Sequence, residues 1–341
     1  MSNFGKKGVL LVNLGTPDAP TKSAVGRYLK QFLLDPRVID FGWVKRNLLI
    51  RALILPFRTG SSTKLYQRLW TEEGSPLKYH GYKVAEDLQK LMGDEYHVEL
   101  AMRYQNPSIE SAIEKMMKAG VSEITVFPMF PQYASASTGS AHEEVMRVLS
   151  NQLTIPPVKF INSFYNHPKM IEVFVENARQ FNFDDYDHII FSYHGIPQRH
   201  LRKADISCSH CLKTEDCCQS LSKINQFCYS AQSYATTRAL VKQLNLRDDQ
   251  YTTSFQSRLG KEVWTQPYTI DIIEDLAAKG AKRLLVFSPA FVADCLETTV
   301  EVAFEYQEDF EKAGGEHIDL VPSLNDHPKW VEAIRDIVLD A

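Results

Sequence analysis

The sequence predicts an α/β fold of two similar, doubly wound, Rossmann-like lobes with parallel sheets. Three features of the 341 residues predict this architecture: short apolar runs alternate with helical patterns, the runs are continuous, and the second half of the chain repeats the first. Continuous apolar strands between helices are typical of parallel sheets that are covered on both faces. We therefore expect the active cleft between the two lobes, beyond the carboxyl ends of the strands.

The individual strands and helices are predicted from the hydrophobic period of each segment. The predicted strands are Val9–Asn13, Val98–Met102, Ile124–Phe127, His188–Ser192, Tyr251–Phe255 and Leu284–Phe287. The predicted helices include Ser108–Ala119, Pro168–Gln180, Ala231–Leu244 and Thr269–Lys279. Gly120 and Gly280 directly follow two of these helices, at positions where a left-handed cap is expected.

Two pairs of segments show the internal repeat. Val12–Pro17 aligns with Ser192–Pro197, and Gly120–Thr138 aligns with Gly280–Thr298 at an offset of 160 residues. A period of this length indicates two related lobes rather than a solenoid. The expected divisions are a first lobe at 1–170, a second lobe at 171–325 and a C-terminal segment at 326–341, whose helix packs back on the first lobe.

The repeat singles out His194 and Glu297 as candidate catalytic residues. They stand where the first half has Leu14 and Ser137, and each follows a predicted strand. Ligands of open α/β sheets bind at these strand ends. An imidazole titrates near neutrality and binds divalent iron well, so His194 suits metal transfer and proton abstraction alike. The alternative is a histidine whose polar atoms are satisfied within the turn.

Carboxylates recur every four residues from Glu297 onwards, at Glu301, Glu305 and Asp309. Residues at this spacing share one face of an α-helix, and like charges there destabilise the helix unless cations or protons are shared among them. The stripe therefore suggests a conduit for a hydrated metal ion or for protons. A solvated helix face is the alternative.

The stretch from Tyr28 to Trp70 is unusually apolar and is punctuated by arginine, most clearly in Leu48–Arg58. Such a segment suits a slot for a large flat ligand whose carboxylates meet cations at the rim. A partly exposed version would form a lip that contacts a bilayer. A buried core helix is the alternative.

Five of the six cysteines lie within the segment 205–228. In a reducing cytosol such a cluster indicates metal binding more than disulfides, and four thiolates suit either a [2Fe–2S] cluster or a structural Zn²⁺, for which His210 is a further candidate. Unrelated free thiols are the remaining alternative. Because neighbouring cysteines seldom bind one ion together, we favour one of the adjacent pair. The five candidates are Cys208, Cys211, Cys217, Cys218 and Cys228, of which Cys208, Cys211, Cys218 and Cys228 are the favoured four.

Composition excludes several functional classes. Hydrophobic residues make up 44% of the chain and charged residues 23%, as in a globular protein with a real core. The net charge of −4 offers no basic footprint for nucleic acid. Apolar runs are too short for a signal peptide or a membrane span, which predicts a cytoplasmic protein. Leu14–Pro17 lacks the Gly-x-Gly-x-x-Gly spacing of a Rossmann dehydrogenase.

Further motifs follow one another in a specific order along the chain. They are Leu14–Pro17, Arg27–Leu33, Gly74–Leu77, Phe130–Tyr133, Ser192–Pro197, Phe255–Arg258 with Trp264, and Asp294–Thr298. This ordered set resembles the ferrochelatase family, and the resemblance runs from about residue 8 to residue 330. It implies a chelatase-like fold and a lyase that inserts Fe²⁺ into protoporphyrin IX to form protohaem, the terminal step of haem biosynthesis.

The resemblance also implies roles for particular residues. His194 and Glu297 match the active-site pair that faces the substrate Fe²⁺ across the macrocycle, with the division of metal and proton roles left open. Glu301 and Glu305 would form the acidic conduit behind them. Three less distinctive positions match the porphyrin slot or a propionate contact; they are Tyr28, Arg58 and Ser75.

Cofactors and partners follow from the same resemblance. No organic cofactor is required, and a [2Fe–2S] cluster is favoured over Zn²⁺ in the cysteine-rich segment because some ferrochelatases carry one. The expected partners are porphyrin and Fe²⁺, with peripheral contact at the inner face of a membrane. Rival functions are a coproporphyrin chelatase, a sirohydrochlorin chelatase and a non-catalytic two-lobe protein that binds haem or a metal.

Overall fold

The computed structural model describes residues 5–214, 216–258, 260 and 262–341. The chain divides into two compact units. Unit 1 comprises Met1–Phe130, Ala134–Ser163 and Asp326–Ala341. Unit 2 comprises Pro131–Tyr133 and Phe164–Asn325.

Strands and helices alternate along both units. In chain order they are β1 (Lys6–Gly15), α1 (Lys22–Leu33), α2 (Trp43–Leu48), a π-helix (Leu49–Ile54), α3 (Leu55–Leu69), α4 (Pro76–Met92), β2 (Tyr96–Tyr104), α5 (Ile109–Lys118), β3 (Val121–Pro128), a π-helix (Ser135–Gly139), α6 (Ser140–Leu149), β4 (Val158–Phe160), α7 (Pro168–Ala178), a 3₁₀-helix (Phe183–Asp185), β5 (His188–His194), α8 (Gln198–Ala204), α9 (Tyr229–Leu244), β6 (Tyr251–Gln256), α10 (Thr269–Ala278), β7 (Arg283–Phe287), a π-helix (Leu296–Tyr306), α11 (Gln307–Lys312), β8 (His317–Leu320) and α12 (Pro328–Leu339).

Unit 1 is built on a four-stranded parallel sheet in the order β2-β1-β3-β4. The central strand β1 is a continuous apolar run, and its residues Val9 to Val12 are fully buried. Apolar side chains of α5 and α6 pack against this sheet in one core cluster. Trp330 of α12 is also fully buried, with its ring 6.1 Å from that of Phe127 on β3.

Unit 2 repeats this sheet with the order β6-β5-β7-β8, again all parallel. Phe191 on β5 and Phe287 on β7 place their ring centres 4.8 Å apart, and both side chains are fully buried. Helix α10 and the π-helix Leu296–Tyr306 contribute to the same apolar cluster as these strands. The two matching sheets confirm the predicted α/β class with two similar doubly wound lobes.

The predicted central strands and helix caps are confirmed. Gly120 and Gly280 have φ angles of +74° and +97°, a region that glycine enters without the steric penalty of a side chain. Two strands were missed, β4 and β8, which have three and four residues and lie at sheet edges. Runs this short carry too little hydrophobic pattern to be recognised.

The helices that follow β4 and β8 each belong to the other unit. Helix α7 follows β4, the last strand of the unit 1 sheet, yet it belongs to unit 2. Helix α12 follows β8, the last strand of the unit 2 sheet, and belongs to unit 1, where it contacts α4. Both helices begin with the sequence His-Pro-Lys, at His167 and His327.

Candidate active site

His194 is the last residue of β5 and is held by a tight turn. The amide of Gly195 donates a hydrogen bond of 2.8 Å to the carbonyl oxygen of Gln256 on the neighbouring strand. A Cβ atom on Gly195 would lie 2.7 Å from that same oxygen, so only glycine allows the two backbones to approach this closely. The turn therefore places the imidazole at the carboxyl end of the sheet, as the sequence predicted.

His194 is half-buried, and its imidazole is incompletely paired. Its Nδ1 atom has no hydrogen-bond partner in the part of the chain that the structure describes, and its ring meets the edge of Phe291 at 6.2 Å. Burial lowers the pKa of His194, while the negative charge of Glu297 acts in the opposite direction. The imidazole is therefore neutral near pH 7 and carries a nitrogen lone pair that a metal ion or a proton can use.

Glu297 lies in the first turn of the π-helix Leu296–Tyr306, which begins with a capping box. Cys295 is the N-cap residue, and its amide donates a hydrogen bond of 2.9 Å to Oγ1 of Thr298. Burial, and next the charge of Glu297, raise the pKa of the Cys295 thiol well above 9. The thiol and the carboxylate therefore interact at the start of this helix. The helix start thus orients the carboxylate that it carries.

Gln256 connects the histidine loop to this helix. Its backbone carbonyl accepts the hydrogen bond from Gly195, and its side-chain Nε2 donates one of 2.7 Å to the carbonyl oxygen of Glu297. Its Oε1 accepts a further bond of 2.8 Å from Ser192. The Gln256 side chain is buried, so this residue fixes His194 and Glu297 relative to one another.

Glu301 is held by several donors one turn further along the π-helix. Its carboxylate accepts hydrogen bonds from Oγ of Ser257 at 2.6 Å, from the hydroxyl of Tyr306 at 3.0 Å and from Nε2 of Gln256 at 3.2 Å. Burial raises the pKa of Glu301, which these donors oppose. The pairing with Tyr306, five residues ahead, follows from the wider turn of a π-helix.

The acidic stripe therefore has a different geometry from that of the α-helix assumed for the sequence. Glu297 is half-buried and Glu301 is tied down by hydrogen bonds, whereas Glu305 is exposed near the end of the π-helix. These three carboxylates lie in successively different environments. The conduit they were expected to form stays a prediction.

Comparison with known proteins decides the family. The family model for ferrochelatase matches residues 6–341. A ferrochelatase of Legionella pneumophila (strain Lens) is 46% identical over 333 residues, which cover 98% of each chain. A ferrochelatase of Coxiella burnetii (strain Dugway 5J108-111) is 43% identical over 339 residues, covering 98% of this chain and 93% of the relative.

The chain belongs to the ferrochelatase family. The family assignment makes it an enzyme, a metal-chelating lyase.

Solved structures support the two-lobe fold of this ferrochelatase family member. SirB from Bacillus subtilis with Fe³⁺ matches with a TM-score of 0.51 at 12% identity, covering 98% of this chain and 95% of that one. The sirohydrochlorin chelatase SirB from Bacillus subtilis subspecies spizizenii, in complex with cobalt, matches with a TM-score of 0.50 at 11% identity. At such low identity the likeness concerns the fold alone.

The three positions that match the porphyrin slot of ferrochelatases all lie in unit 1. Tyr28 on α1 is buried, with its ring 6.0 Å from that of Phe32. Ser75 is buried at the start of α4, and its Oγ accepts a hydrogen bond of 2.9 Å from Thr16. Arg58 on α3 is exposed. Their contacts with substrate stay predictions.

The apolar stretch between β1 and β2 is partly exposed, although some of its side chains, such as Ile50, are fully buried. Large apolar side chains cover its surface, with Trp43 69% and Phe57 80% exposed. The others in this exposed set are Val44, Leu48 and Leu53. Across the described ranges of the chain, no helix is long and apolar enough to cross a bilayer.

Four of the five clustered cysteines line one small cavity of about 20 Å³. They are Cys211, Cys217, Cys218 and Cys228. The sulfurs of Cys217 and Cys218 lie 3.6 Å apart, and the interaction with Cys218 lowers the pKa of the Cys228 thiol. Cys208 is exposed and is not part of the cavity lining.

The four thiols are suitable ligands for a metal ion. Their present positions, however, do not form a finished metal site. Within the described residues, no three His, Cys, Asp or Glu side chains are already grouped to hold a metal ion. A cavity of about 20 Å³ admits about one water-sized sphere, so a [2Fe–2S] cluster would require these side chains to move apart on binding. Metal sites commonly form only as the ligands close on the metal, so the four thiols remain suitable donors.

Proposed function

We propose that His194 and Glu297 carry out the ferrochelatase reaction of this chain, the insertion of Fe²⁺ into protoporphyrin IX to form protohaem. The observation that carries this assignment is the buried Nδ1 atom of His194. It has no hydrogen-bond partner among the described residues, and it lies at a strand end within electrostatic reach of Glu297. A polar atom left unpaired in such a place is available to a substrate.

The reaction requires two protons to leave the pyrrole nitrogens while the metal arrives. A neutral imidazole at His194 can ligate the substrate Fe²⁺ or accept a pyrrole proton, and the carboxylate of Glu297 can do either as well. Fe²⁺ must lose its water ligands in stages, so loose binding through one nitrogen and one carboxylate suits transfer better than a closed cage. A slot that binds a distorted ring better than a flat one would lower the barrier further.

Glu301 and Glu305 would serve the reaction as a conduit behind this pair. Glu301 is half-buried and hydrogen-bonded, whereas Glu305 reaches the surface, so the two could pass protons outwards in sequence. We assign the substrate slot to Tyr28, Arg58 and Ser75, in which the exposed guanidinium of Arg58 would meet a propionate at the rim.

Anaerobic metal insertion into protoporphyrin IX, followed by absorbance, tests the central assignment. We expect turnover by the wild type and a loss of about 1,000-fold in His194→Ala, because one group that ligates or deprotonates is removed. His188→Ala is the matched control, since His188 lies at the other end of β5 and bonds to Thr252. It should retain wild-type turnover. Tight haem binding without turnover by the wild type would instead favour the non-catalytic binding protein.

We propose further that four of the five clustered thiols hold a [2Fe–2S] cluster, with structural Zn²⁺ as the alternative. Cys211, Cys218 and Cys228 would be ligands, and the fourth would be Cys208 or Cys217. The spacing along the chain favours Cys208, whereas the shared cavity favours Cys217. A cluster here would be structural or would sense iron or oxidants, because metal insertion transfers no net electron.

Metal analysis and visible spectra of the purified protein test the cluster. Charge-transfer bands before substrate is added would identify [2Fe–2S], and a colourless protein with one Zn²⁺ per chain would identify the alternative. Comparing Cys208→Ser with Cys217→Ser identifies the fourth ligand, since only one of the two should lose the metal. A colourless, metal-free wild type would overturn both proposals.

The exposed apolar surface of unit 1 supports a third proposal, peripheral contact of a cytoplasmic protein with the inner face of a membrane. Trp43 and Phe57 project from helices α2 and α3, which carry basic residues beside them. Such a surface can enter the headgroup region and collect a lipid-soluble porphyrin. Sedimentation with anionic vesicles should fall in Trp43→Ser and Phe57→Ser. Leu153→Ser, which changes an exposed leucine elsewhere in unit 1, is the control.

A further inference from the structure

One side chain joins the cysteine-rich segment to the candidate catalytic histidine. Tyr229 is the first residue of α9 and directly follows Cys228. Its hydroxyl donates a hydrogen bond of 2.7 Å to the backbone carbonyl oxygen of His194. The two residues are 35 positions apart in the chain. A displacement of Cys228 can therefore reach His194 through one neighbouring residue and one hydrogen bond.

Tyr229 is well anchored between these two partners. Its side chain is buried, and its ring centre lies 6.5 Å from that of Phe255 on β6. Its own carbonyl accepts a hydrogen bond of 2.9 Å from Ser233, one helical turn ahead. The carbonyl of Cys228 accepts the first α9 bond, from Gln232 at 3.0 Å. A displacement of Cys228 would thus disturb the helix start and the tyrosine together.

The hydrogen bond from Tyr229 completes the support of the histidine loop. Gly195 is held by Gln256, and the amide of Ile196 donates 3.1 Å to Oγ1 of Thr265. These contacts hold the residues that follow the histidine, whereas the tyrosine holds the carbonyl of His194 itself. Because catalytic side chains must be placed within about 0.5 Å, loss of such a contact is expected to matter for turnover.

We propose that Tyr229 is a positioning residue for His194, and that it makes the placement of the imidazole depend on the state of the cysteine-rich segment. The inference rests on the role proposed for His194 in metal insertion. When the thiols are ligated and the segment is ordered, Cys228 fixes the start of α9 and the tyrosine holds the loop. When a thiol is lost or its ligand is removed, the helix start loosens and the loop gains freedom.

The first test is Tyr229→Phe, which removes the donor but keeps the buried ring. We expect kcat for metal insertion to fall about three- to tenfold with little change in KM for porphyrin, because the hydrogen bond orients a reacting group rather than the substrate. Tyr234→Phe is the matched control, since this residue lies on the same helix and its ring also packs against Phe255. It should leave kcat unchanged.

The second test measures the coupling with the cysteine-rich segment, by amide hydrogen exchange as well as by turnover. Cys228→Ser in an otherwise wild-type chain should raise exchange of the Gly195 and Ile196 amides about tenfold and lower kcat. In a Tyr229→Phe background the same substitution should add almost nothing, because the connection is already broken. Cys218→Ser provides a second perturbation if Cys228→Ser does not fold.

Two outcomes would overturn the inference. Additive effects of Tyr229→Phe and Cys228→Ser would mean that the residues act independently, and equal effects of Tyr229→Phe and Tyr234→Phe would mean a general loss of packing. Failure of the proposed function would look different, since the wild type itself would then show no metal insertion. The exchange measurement does not depend on turnover, so it separates the two failures.

Discussion

The two units place comparable helices at the ends of comparable strands, but they treat charge differently there. In unit 1 the buried carboxylate of Asp35 accepts hydrogen bonds from Arg103 at 2.7 Å, Tyr104 at 2.9 Å and Ser140 at 2.6 Å. In unit 2 the buried Nδ1 of His194 has no partner among the described residues. Unit 1 has unpaired buried atoms as well, Nε of Arg46 and Oγ1 of Thr138 among the described residues, so the contrast concerns the carboxylate of Asp35 and the imidazole of His194 alone.

The shared scaffold makes this difference informative. Arg103 on β2 donates a hydrogen bond of 3.1 Å to the carbonyl of Ser140, and Gln256 on β6 donates one of 2.7 Å to that of Glu297. In each unit the edge strand therefore contacts the helix that follows the strand two places away in the sheet. The same type of hydrogen bond, from a side chain to a backbone carbonyl, thus occurs in both units, with arginine as the donor in one and glutamine in the other. An unpaired imidazole nitrogen is more available to a substrate than a fully paired carboxylate, which supports the role proposed for His194 in unit 2.

The largest expected effect is at Glu297, when it is compared with the matching position of unit 1. Glu297→Gln should lower kcat for metal insertion about 1,000-fold, because an amide neither carries the negative charge nor accepts a proton. Ser137→Ala, at the matching position of unit 1, should change kcat less than about threefold, which corresponds to the loss of one weak hydrogen bond. Stopped assays with Zn²⁺ and protoporphyrin IX would measure both. Similar losses in the two variants would refute the asymmetry.

An intermediate effect on stability is expected at Asp35. Asp35→Asn should lower the free energy of unfolding by about 3 kcal/mol, because it leaves the buried guanidinium of Arg103 without its counter-charge. Glu301→Gln is the comparison in unit 2, where burial already raises the pKa of the carboxyl. That substitution should change stability by less than about 1 kcal/mol. Urea unfolding of the wild type and the two variants measures these free energies. A larger loss of stability in Glu301→Gln than in Asp35→Asn would contradict the comparison.

The smallest expected effect concerns His142 in unit 1. Burial lowers its pKa to about 4, from an ordinary value of 6.5. Above pH 6.5 the side chain is neutral in both the folded and the unfolded chain, so it adds no pH dependence. Between pH 6.5 and 4 the unfolded chain binds the proton first, and stability falls by about 1 kcal/mol after allowance for solvent screening. Urea unfolding at pH 7 and pH 5 should show a loss of stability that is larger in the wild type than in His142→Gln by this amount, since His188 and His194 contribute equally to both.

Much of the fold could be predicted because the central strands are continuous apolar runs. Val9–Asn13 and Leu284–Phe287 lie within β1 and β7, and both are buried on the two faces of a sheet. The short edge strand β4 could not be predicted, since only three residues pair there and none is fully buried. The cap glycines were recognisable because a left-handed backbone strongly favours glycine.

Part of the candidate site could likewise be predicted from the sequence, and part could not. His194 and Glu297 were singled out by the repeat, which compares the two halves position by position. The contact between Tyr306 and Glu301 was missed because it arises from the five-residue pairing of the π-helix. The contact between Cys295 and Thr298 was missed because it depends on the cap of that helix. No residue pattern in the sequence distinguishes that helix from an α-helix. Gln256 lay within a recognised motif. Its two hydrogen bonds, one with Gly195 and one with the carbonyl of Glu297, could be seen only in the structure.

The exchange of α7 and α12 between the units has a consequence for the order of events during synthesis. Trp330 of α12 is the largest fully buried side chain among the described residues, and it packs in unit 1 against Phe127. Unit 1 begins first on the ribosome, yet its core is complete only after residues 326–341 are made. Unit 2 needs nothing beyond residue 325. Unit 1 therefore depends on the last segment of the chain for its core, although most of its residues are translated first.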